Sequence, residues 1–212
     1  MTKIPSETPS VLAAMLGCSL TTALGIIDNE CDLKFGETVA IIGCGGVGLN
    51  LVQAAIMRSP LRVYAVDINR NMVDLSYLMG ATSFTESIKN VEENVNLIID
   101  TTGIPQVIAD AYDKLAPSGR LILVGQPAPG KSVELPNAVS MFDGTGKSVK
   151  ATQGGATIPH IDIPRYINLS RRGVIKYEQL HTDTFTLDEV NQAFDLLKSG
   201  NAGRIMINIG EE

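Results

Sequence analysis

The stretch Gly43-Cys44-Gly45-Gly46-Val47-Gly48 is where residue types and spacing in this 212-residue sequence most directly imply chemistry. The pattern G-x-G-x-x-G asks a different thing of each glycine: a tight turn, a backbone bare enough to touch a pyrophosphate, and close packing of a helix on a strand. The unpaired amides that open such a helix then face the anion. An acidic residue, Asp67, follows about 20 residues later, at the end of the next apolar run. A carboxylate there accepts hydrogen bonds from the hydroxyls of an adenosine ribose and repels a 2′-phosphate, which favours NAD over NADP. Arg70 stands three positions on, where it either approaches a phosphate or faces solvent from the next helix. A glycine-rich turn alone is common; its place between a strand and a helix, with the acid behind it, points to a dinucleotide.

The elements around the loop read as repeated strand-helix units. Residues 38–43 form a continuous apolar strand, and 47–57 a helix whose apolar side chains recur every four positions, as in Val47, Leu51 and Ala55. A second strand covers 61–67, after which Asn69 caps a helix carrying Met72, Leu75 and Leu78 that stops at Gly80. A short strand is predicted at 81–84. Two buried strands at 95–100 and 120–125 flank a helix over 105–115 and the turn Pro117-Ser118-Gly119. This alternation predicts an α/β protein of the Rossmann type, a doubly wound parallel sheet with helices on both faces.

Further elements frame that sheet: a helix over 7–17 capped by Ser6, a strand at 148–152, helices at 163–172 and 186–199, and a strand at 204–209. Thr186 and Glu189 form a capping box for the second of these helices, and Gly200 ends it. The expected organisation is a linking helix over 1–18, a dinucleotide-binding domain over 19–155 and a tail over 156–212. Neither internal repeats nor low-complexity tracts interrupt it.

Composition narrows the partners. A net charge of −6 without a basic cluster excludes a phosphate-tracking nucleic-acid surface and an anionic-membrane anchor. No apolar stretch reaches the roughly 20 residues of a membrane span, and the first five residues lack a signal peptide's apolar stretch; the expected location is cytoplasmic. Cys18, Cys31 and Cys44 are an odd number with no CxxC pair, so they spell neither a disulfide framework nor a self-contained zinc site. Read from the residues alone, a methyltransferase, which also holds an adenosine ribose with an acid after the second strand, and a binding-only dinucleotide module both stay open.

The stretch Gly17-Cys18-Ser19-Leu20-Thr21-Thr22-Ala23-Leu24-Gly25, the glycine loop, Val66-Asp67-Ile68-Asn69, Gly80-Ala81-Thr82, Ile99-Asp100-Thr101-Thr102-Gly103 and Ser199-Gly200-Asn201-Ala202-Gly203-Arg204 together closely resemble the medium-chain, zinc-dependent alcohol dehydrogenases, in order and in spacing, over nearly the whole chain. The resemblance implies NAD as cofactor and hydride transfer between an alcohol and NAD. It gives the pyrophosphate to Gly43, Gly45, Gly46, Val47 and Gly48, with Arg204 as a positive partner, and the adenosine ribose to Asp67. Thr22 is expected against the nicotinamide, and the backbone of Val124, Gly125 and Gln126 at its carboxamide. The segment 153–159 is expected to border the same ring.

By the same resemblance Cys18 is one protein ligand of a catalytic zinc. Such a zinc needs about three protein ligands, and the family's others lie in an N-terminal catalytic domain, so zinc is expected of a full-length enzyme and not of this chain alone. Read without the family, Cys18 is a small core residue. His160 and His181 match no ligand position, and the family's four-cysteine structural lobe has no counterpart here. The resemblance also implies that the chain starts at the junction of the catalytic and cofactor domains, as part of a longer enzyme or as an inert or binding-only remnant. Apolar surface is then expected in the tail and around residues 15–20. A homodimer through the cofactor domain is expected too, near residues 131–137, with the sheet continued across a two-fold axis.

Overall fold

The computed structural model describes residues 1–142 and 146–210. In chain order it contains α1 (Ser10–Leu16), α2 (Ser19–Gly25), β1 (Thr38–Ile42), α3 (Gly46–Ile56), β2 (Arg62–Val66), α4 (Val73–Met79), β3 (Ser83–Thr85), β4 (Val95–Asp100), α5 (Pro105–Asp113), β5 (Leu115–Leu123), β6 (Ser148–Ala151), α6 (Pro159–Arg171), β7 (His181–Thr186), α7 (Val190–Ser199) and β8 (Arg204–Asn208). Strands β1 to β6 form one parallel sheet in the order β3-β2-β1-β4-β5-β6. The order reverses between β1 and β4, so a crevice opens there beyond the carboxyl ends of the strands, where open α/β sheets bind their ligands. The doubly wound Rossmann sheet expected from the sequence is therefore the observed fold.

Period-two alternation divides the strands between two cores. Val39, Ile41, Val63, Ala65, Leu97 and Ile99 face a core shared with α1, α2, α3 and the tail residues Tyr166, Ile167 and Leu180. Ala40, Ile42, Tyr64, Val66, Ile98 and Leu121 face the other, with Ile108, Ala111 and Tyr112 of α5. Helix α3 is buried almost all round, and its polar residues are satisfied within the fold. Asn50 donates to the Gly46 carbonyl at 2.7 Å, Gln53 donates to Asn50 at 2.7 Å, and Gln53 accepts from the Lys176 amide at 2.9 Å.

Several boundaries differ from the sequence expectation for identifiable reasons. Ser6 does not cap the first helix; α1 starts at Ser10 behind Pro9, because the residue before a proline is pushed out of the helical region. Strand β5 begins at Leu115 and carries Pro117-Ser118-Gly119 as an irregularity in its register with β4, where a separate turn was expected. Helix α6 starts at Pro159 and holds Pro164 inside it, a proline at the first position being pre-set for a helix. Helix α2, which runs on through the wide turn Ile26–Glu30, was not anticipated as an element.

The tail holds a second, two-stranded parallel sheet of β7 and β8 connected through α7. The alternating residues His181 to Thr186 form a strand that the sequence expectation lacks. The capping box of Thr186 and Glu189 is present, with the Glu189 carboxylate accepting from the Thr186 amide at 2.9 Å. Apolar surface is exposed on this tail at Leu187, Phe194, Leu197 and Ile209, as expected. The companion expectation for residues 15–20 fails: Met15, Leu16 and Leu20 are buried in one core cluster with Tyr166 and Ile167 of α6. Among the described residues no single helix is long and apolar enough to cross a membrane.

One polar clasp joins the residue just before β1 to the middle of β5. Arg120 donates to both carboxylate oxygens of Glu37, at 2.5 and 3.1 Å, and to the Cys31 carbonyl at 2.8 Å. Burial works to raise the Glu37 carboxyl's pKa, but the hydrogen bonds from Arg120 and from the Lys34 amide, with the charges of both residues, outweigh it and hold the carboxyl below its usual value of 4.5. A carboxylate depressed in the folded state adds stability above its unfolded pKa and loses it as pH falls through the folded one. Glu37→Gln is expected to cost about 2 kcal/mol at pH 7. In urea melts the gap should narrow as the pH is taken below 4.5; a gap independent of pH would assign the effect to packing instead.

Candidate functional site

The glycine loop leaves β1 under tight steric control. Gly43 has φ +89°, a left-handed conformation that an L side chain rarely adopts, and a Cβ there would lie 2.2 Å from the Thr101 hydroxyl. That hydroxyl is directed at the carbonyls of Ile42 (2.8 Å) and Gly43 (3.2 Å), which ties the loop to the end of β4. A Cβ on Gly48 would fall 1.7 Å from the Gly43 carbonyl oxygen, so the start of α3 packs directly on the loop. Gly45 is the opposite case: it sits at the cap of α3, and a Cβ there meets nothing within 4 Å. The loop is closed on its inner side and open above the helix N-terminus, the shape an anion needs. Cys44 points inward, and burial pushes its thiol up to about 12.

Asp67 follows β2 and reaches the same loop. Its Oδ2 accepts from the Cys44 amide at 2.6 Å and its Oδ1 from the Asn69 amide at 2.8 Å. A carboxylate has about four acceptor positions, so two remain for further donors. Beside it opens a cavity of about 320 Å³ lined by Gly43, Asp67, Ile68, Glu86, Thr102 and Ile104, among others. Ile68 and Ile104 are exposed at its mouth, 87 % and 52 %. Arg70 is exposed and engaged by Glu86 through two hydrogen bonds of 2.8 Å.

Arg204, the first residue of β8, lies over the other side of the loop. A Cβ on Gly46 would be 2.6 to 2.8 Å from its guanidinium and Cδ. Its Nε donates to the Ser19 hydroxyl at 3.2 Å. Burial lowers its pKa while the nearby Cys18 thiol raises it, and an arginine stays protonated through such shifts. Among the described residues no carboxylate pairs with it. A half-buried cation and a helix N-terminus, both positive, thus converge without a counter-charge.

Cys18 and Thr22 share a second cavity of about 580 Å³, together with Thr21, Gly154, Thr157 and Ile163. Cys18 is exposed at the N-cap position of α2, where its side chain makes no capping hydrogen bond. The 153–159 segment is held against α2 by a glycine-to-glycine approach: a Cβ on Gly25 would meet the Gly155 carbonyl at 2.7 Å, and Asn29 donates to that carbonyl at 3.0 Å. Val124, Gly125 and Gln126 line a smaller cavity of about 260 Å³ with Ala151, Thr152 and Gln153. The amides of Val124 and Gly125 both donate to the Asp100 carbonyl, at 2.8 and 3.0 Å, so this stretch presents carbonyl oxygens more than amides.

Two contributors escaped the sequence reading. Ser19 holds Arg204, and nothing in the sequence marks it. Asp100 is fully buried, and burial raises its carboxyl's pKa against the opposing Thr102 hydroxyl and Gly103 amide. It accepts from that hydroxyl at 2.7 Å and that amide at 2.9 Å, building the turn that holds Gly103 against Gln126 and Gly125 against Thr101. The string Asp100-Thr101-Thr102-Gly103 carries the signal, since an aspartate bonding backbone two and three residues on is a turn device.

Zinc is not accommodated by the residues that the fold gathers. Cys18 is the one thiol at the 580 Å³ cavity, while Cys31 and Cys44 are buried elsewhere in the core. His181 bonds the Thr184 hydroxyl within β7. Among the described residues no three His, Cys, Asp or Glu side chains converge.

Comparison with known proteins agrees with this geometry. The family described as zinc-binding dehydrogenase matches residues 46–170, more than half of the chain. Alcohol dehydrogenase-like 2 of Arabidopsis thaliana is 28% identical over 98% of this chain and 56% of its own length. The S-(hydroxymethyl)glutathione dehydrogenase of Saccharomyces cerevisiae is 26% identical, over 98% of this chain and 57% of its own. Among solved structures, benzyl alcohol dehydrogenase from Acinetobacter calcoaceticus superposes with a TM-score of 0.90 at 25% identity, covering 99% of this chain and 59% of that one. The chain thus spans under three-fifths of the length of these relatives, and within that span it belongs to the zinc-binding dehydrogenase family.

Proposed function

We propose that this chain is the NAD(H)-binding half of an alcohol dehydrogenase. The observation that carries the reading is the Arg204 guanidinium, without a carboxylate partner among the described residues, laid over Gly46 at the N-terminus of α3. A half-buried charge without a counter-ion is costly, and a pyrophosphate seated above Gly45 supplies one. The residues fit the rest of a dinucleotide. The remaining acceptor positions of Asp67 suit the ribose hydroxyls, the adenine enters the 320 Å³ cavity between Ile68 and Ile104, and the dinucleotide's other end reaches Thr22 and the carbonyls of Val124 and Gly125.

The nicotinamide, when bound, takes a hydride from an alcohol carbon or returns it. The part of this chain is to bind and orient: the pyrophosphate contacts fix the register, Asp67 selects an unphosphorylated ribose, and Thr22 backs the ring. Polarising the alcohol oxygen needs zinc ligands beyond Cys18, so hydride transfer requires ligands supplied from outside the residues gathered here. Pairing of the β6 edge with a second copy is the form of homodimer that suits this sheet.

Calorimetric titration with NADH tests the reading. Saturable binding is expected, with NADPH weaker, and Asp67→Ala and Arg204→Ala are each expected to lose about tenfold in affinity. Absence of NADH binding by the folded chain would refute it. Two glycine variants separate fold from site. Gly48→Ala should lower the melting temperature sharply, since the added carbon overlaps the Gly43 carbonyl. Gly45→Ala should melt within a few degrees of the unmodified chain and yet bind NADH poorly, because its methyl occupies only the space assigned to the pyrophosphate.

A further inference from the structure

We infer that Glu86 reinforces the cofactor preference set by Asp67: it neutralises Arg70 and so withholds a guanidinium that would otherwise receive a 2′-phosphate. The inference rests on the dinucleotide reading above and concerns residues that reading does not use. Strand β3 runs beside β2 with Val66 opposite Thr85, and the Asp67 amide donates to the Thr85 carbonyl at 3.1 Å. Glu86 therefore emerges next to Asp67 at the carboxyl ends of neighbouring strands, and it lines the same cavity. Arg70 opens the turn that leads into α4. That turn is fixed by Asn69, whose side chain accepts from the Asn71 amide at 3.0 Å and donates to the Gly200 carbonyl at 2.7 Å.

The pairing is bidentate: Arg70 Nε and Nη2 donate to the two oxygens of Glu86, each at 2.8 Å. This uses the edge of the guanidinium that would grip a phosphate in the same two-pronged way. The other carboxylate at the cavity, Asp110, is taken by Lys89 at 3.0 Å. With those two pairs closed, the charge left at the ribose end is that of Asp67. A ribose with free hydroxyls finds an acceptor there, whereas a 2′-phosphate, at −1.5 to about −2, meets a net negative rim and, among the described residues lining the cavity, no available cation. Removing Asp67 alone would leave Arg70 still held; removing Glu86 as well turns the rim positive.

Both side chains of the pair are largely exposed, 77 % and 45 %. Such a pair adds little to stability, so its variants should fold, as melts would verify. The probes are AMP and adenosine 2′,5′-bisphosphate, which differ only in the 2′-phosphate, titrated into Asp67→Ser, Asp67→Ser/Glu86→Gln and Asp67→Ser/Glu86→Gln/Arg70→Ala forms of the chain. The double variant is expected to bind the bisphosphate about tenfold more tightly than Asp67→Ser, with AMP changed less than about twofold and the gain abolished by Arg70→Ala. No gain in the double variant, or a gain that survives loss of Arg70, would overturn the inference while leaving the cofactor reading intact. Failure of the unmodified chain to bind either AMP or NADH would instead remove that reading, and this one with it.

Discussion

The contact between Gly48 and the carbonyl of Gly43 is the constraint to which the rest of the structure answers. A carbon atom at the Gly48 β-position would lie 1.7 Å from that oxygen, so only a bare α-carbon lets α3 begin so close to the end of β1. From this approach follow the near-total burial of α3, the inward direction of Cys44 and the upward direction of the loop at Gly45. The helix N-terminus is also set at the point where the strand order reverses, so that its field and the crevice coincide.

Around that fixed point, loops from distant parts of the sequence are joined by backbone acceptors and short polar side chains. Asp67 binds the Cys44 amide, Thr101 reaches the Ile42 and Gly43 carbonyls, and the Asp100 carbonyl takes the amides of Val124 and Gly125. The carboxyl ends of β1, β2, β4 and β5 are in this way linked into one rim. Asp100 shows the energetic logic. A fully buried carboxylate is costly, and it is retained here with a hydroxyl and backbone amides around it, which fixes the turn that presents Gly103 and Gly125.

Much of this was legible in the sequence, and the exceptions have physical causes. The parallel strands announced themselves because burial on both faces makes them continuous apolar runs, as in Thr38–Ile42 and Val95–Asp100. The glycine loop and Asp67 were legible because each position answers a separate steric or electrostatic demand. Strand β7 was not, since its alternating polar residues lie on a small exposed sheet where no core enforces a pattern. Ser19 and Glu86 were equally silent: their roles arise from neighbours far away in sequence, Arg204 for one and Arg70, brought near by strand pairing, for the other. The burial of Met15 and Leu20 likewise depends on where α6 lies, which local spacing does not encode.

Arg204 belongs to the second sheet, while the helix it overlies belongs to the first. The unit of β7, α7 and β8 has a thin core, with Ala193 and Ala202 buried and Phe194 and Leu197 half exposed, the profile of a segment that opens locally before the whole molecule unfolds. An anion held between Gly45 and Arg204 would bridge the two sheets, and by linkage whatever binds only the closed form stabilises it. Bound dinucleotide would then act as a rivet through the tail, slowing amide exchange in β7 and β8 far more than in the central strands. Release of the cofactor and fraying of the tail become two views of the same opening.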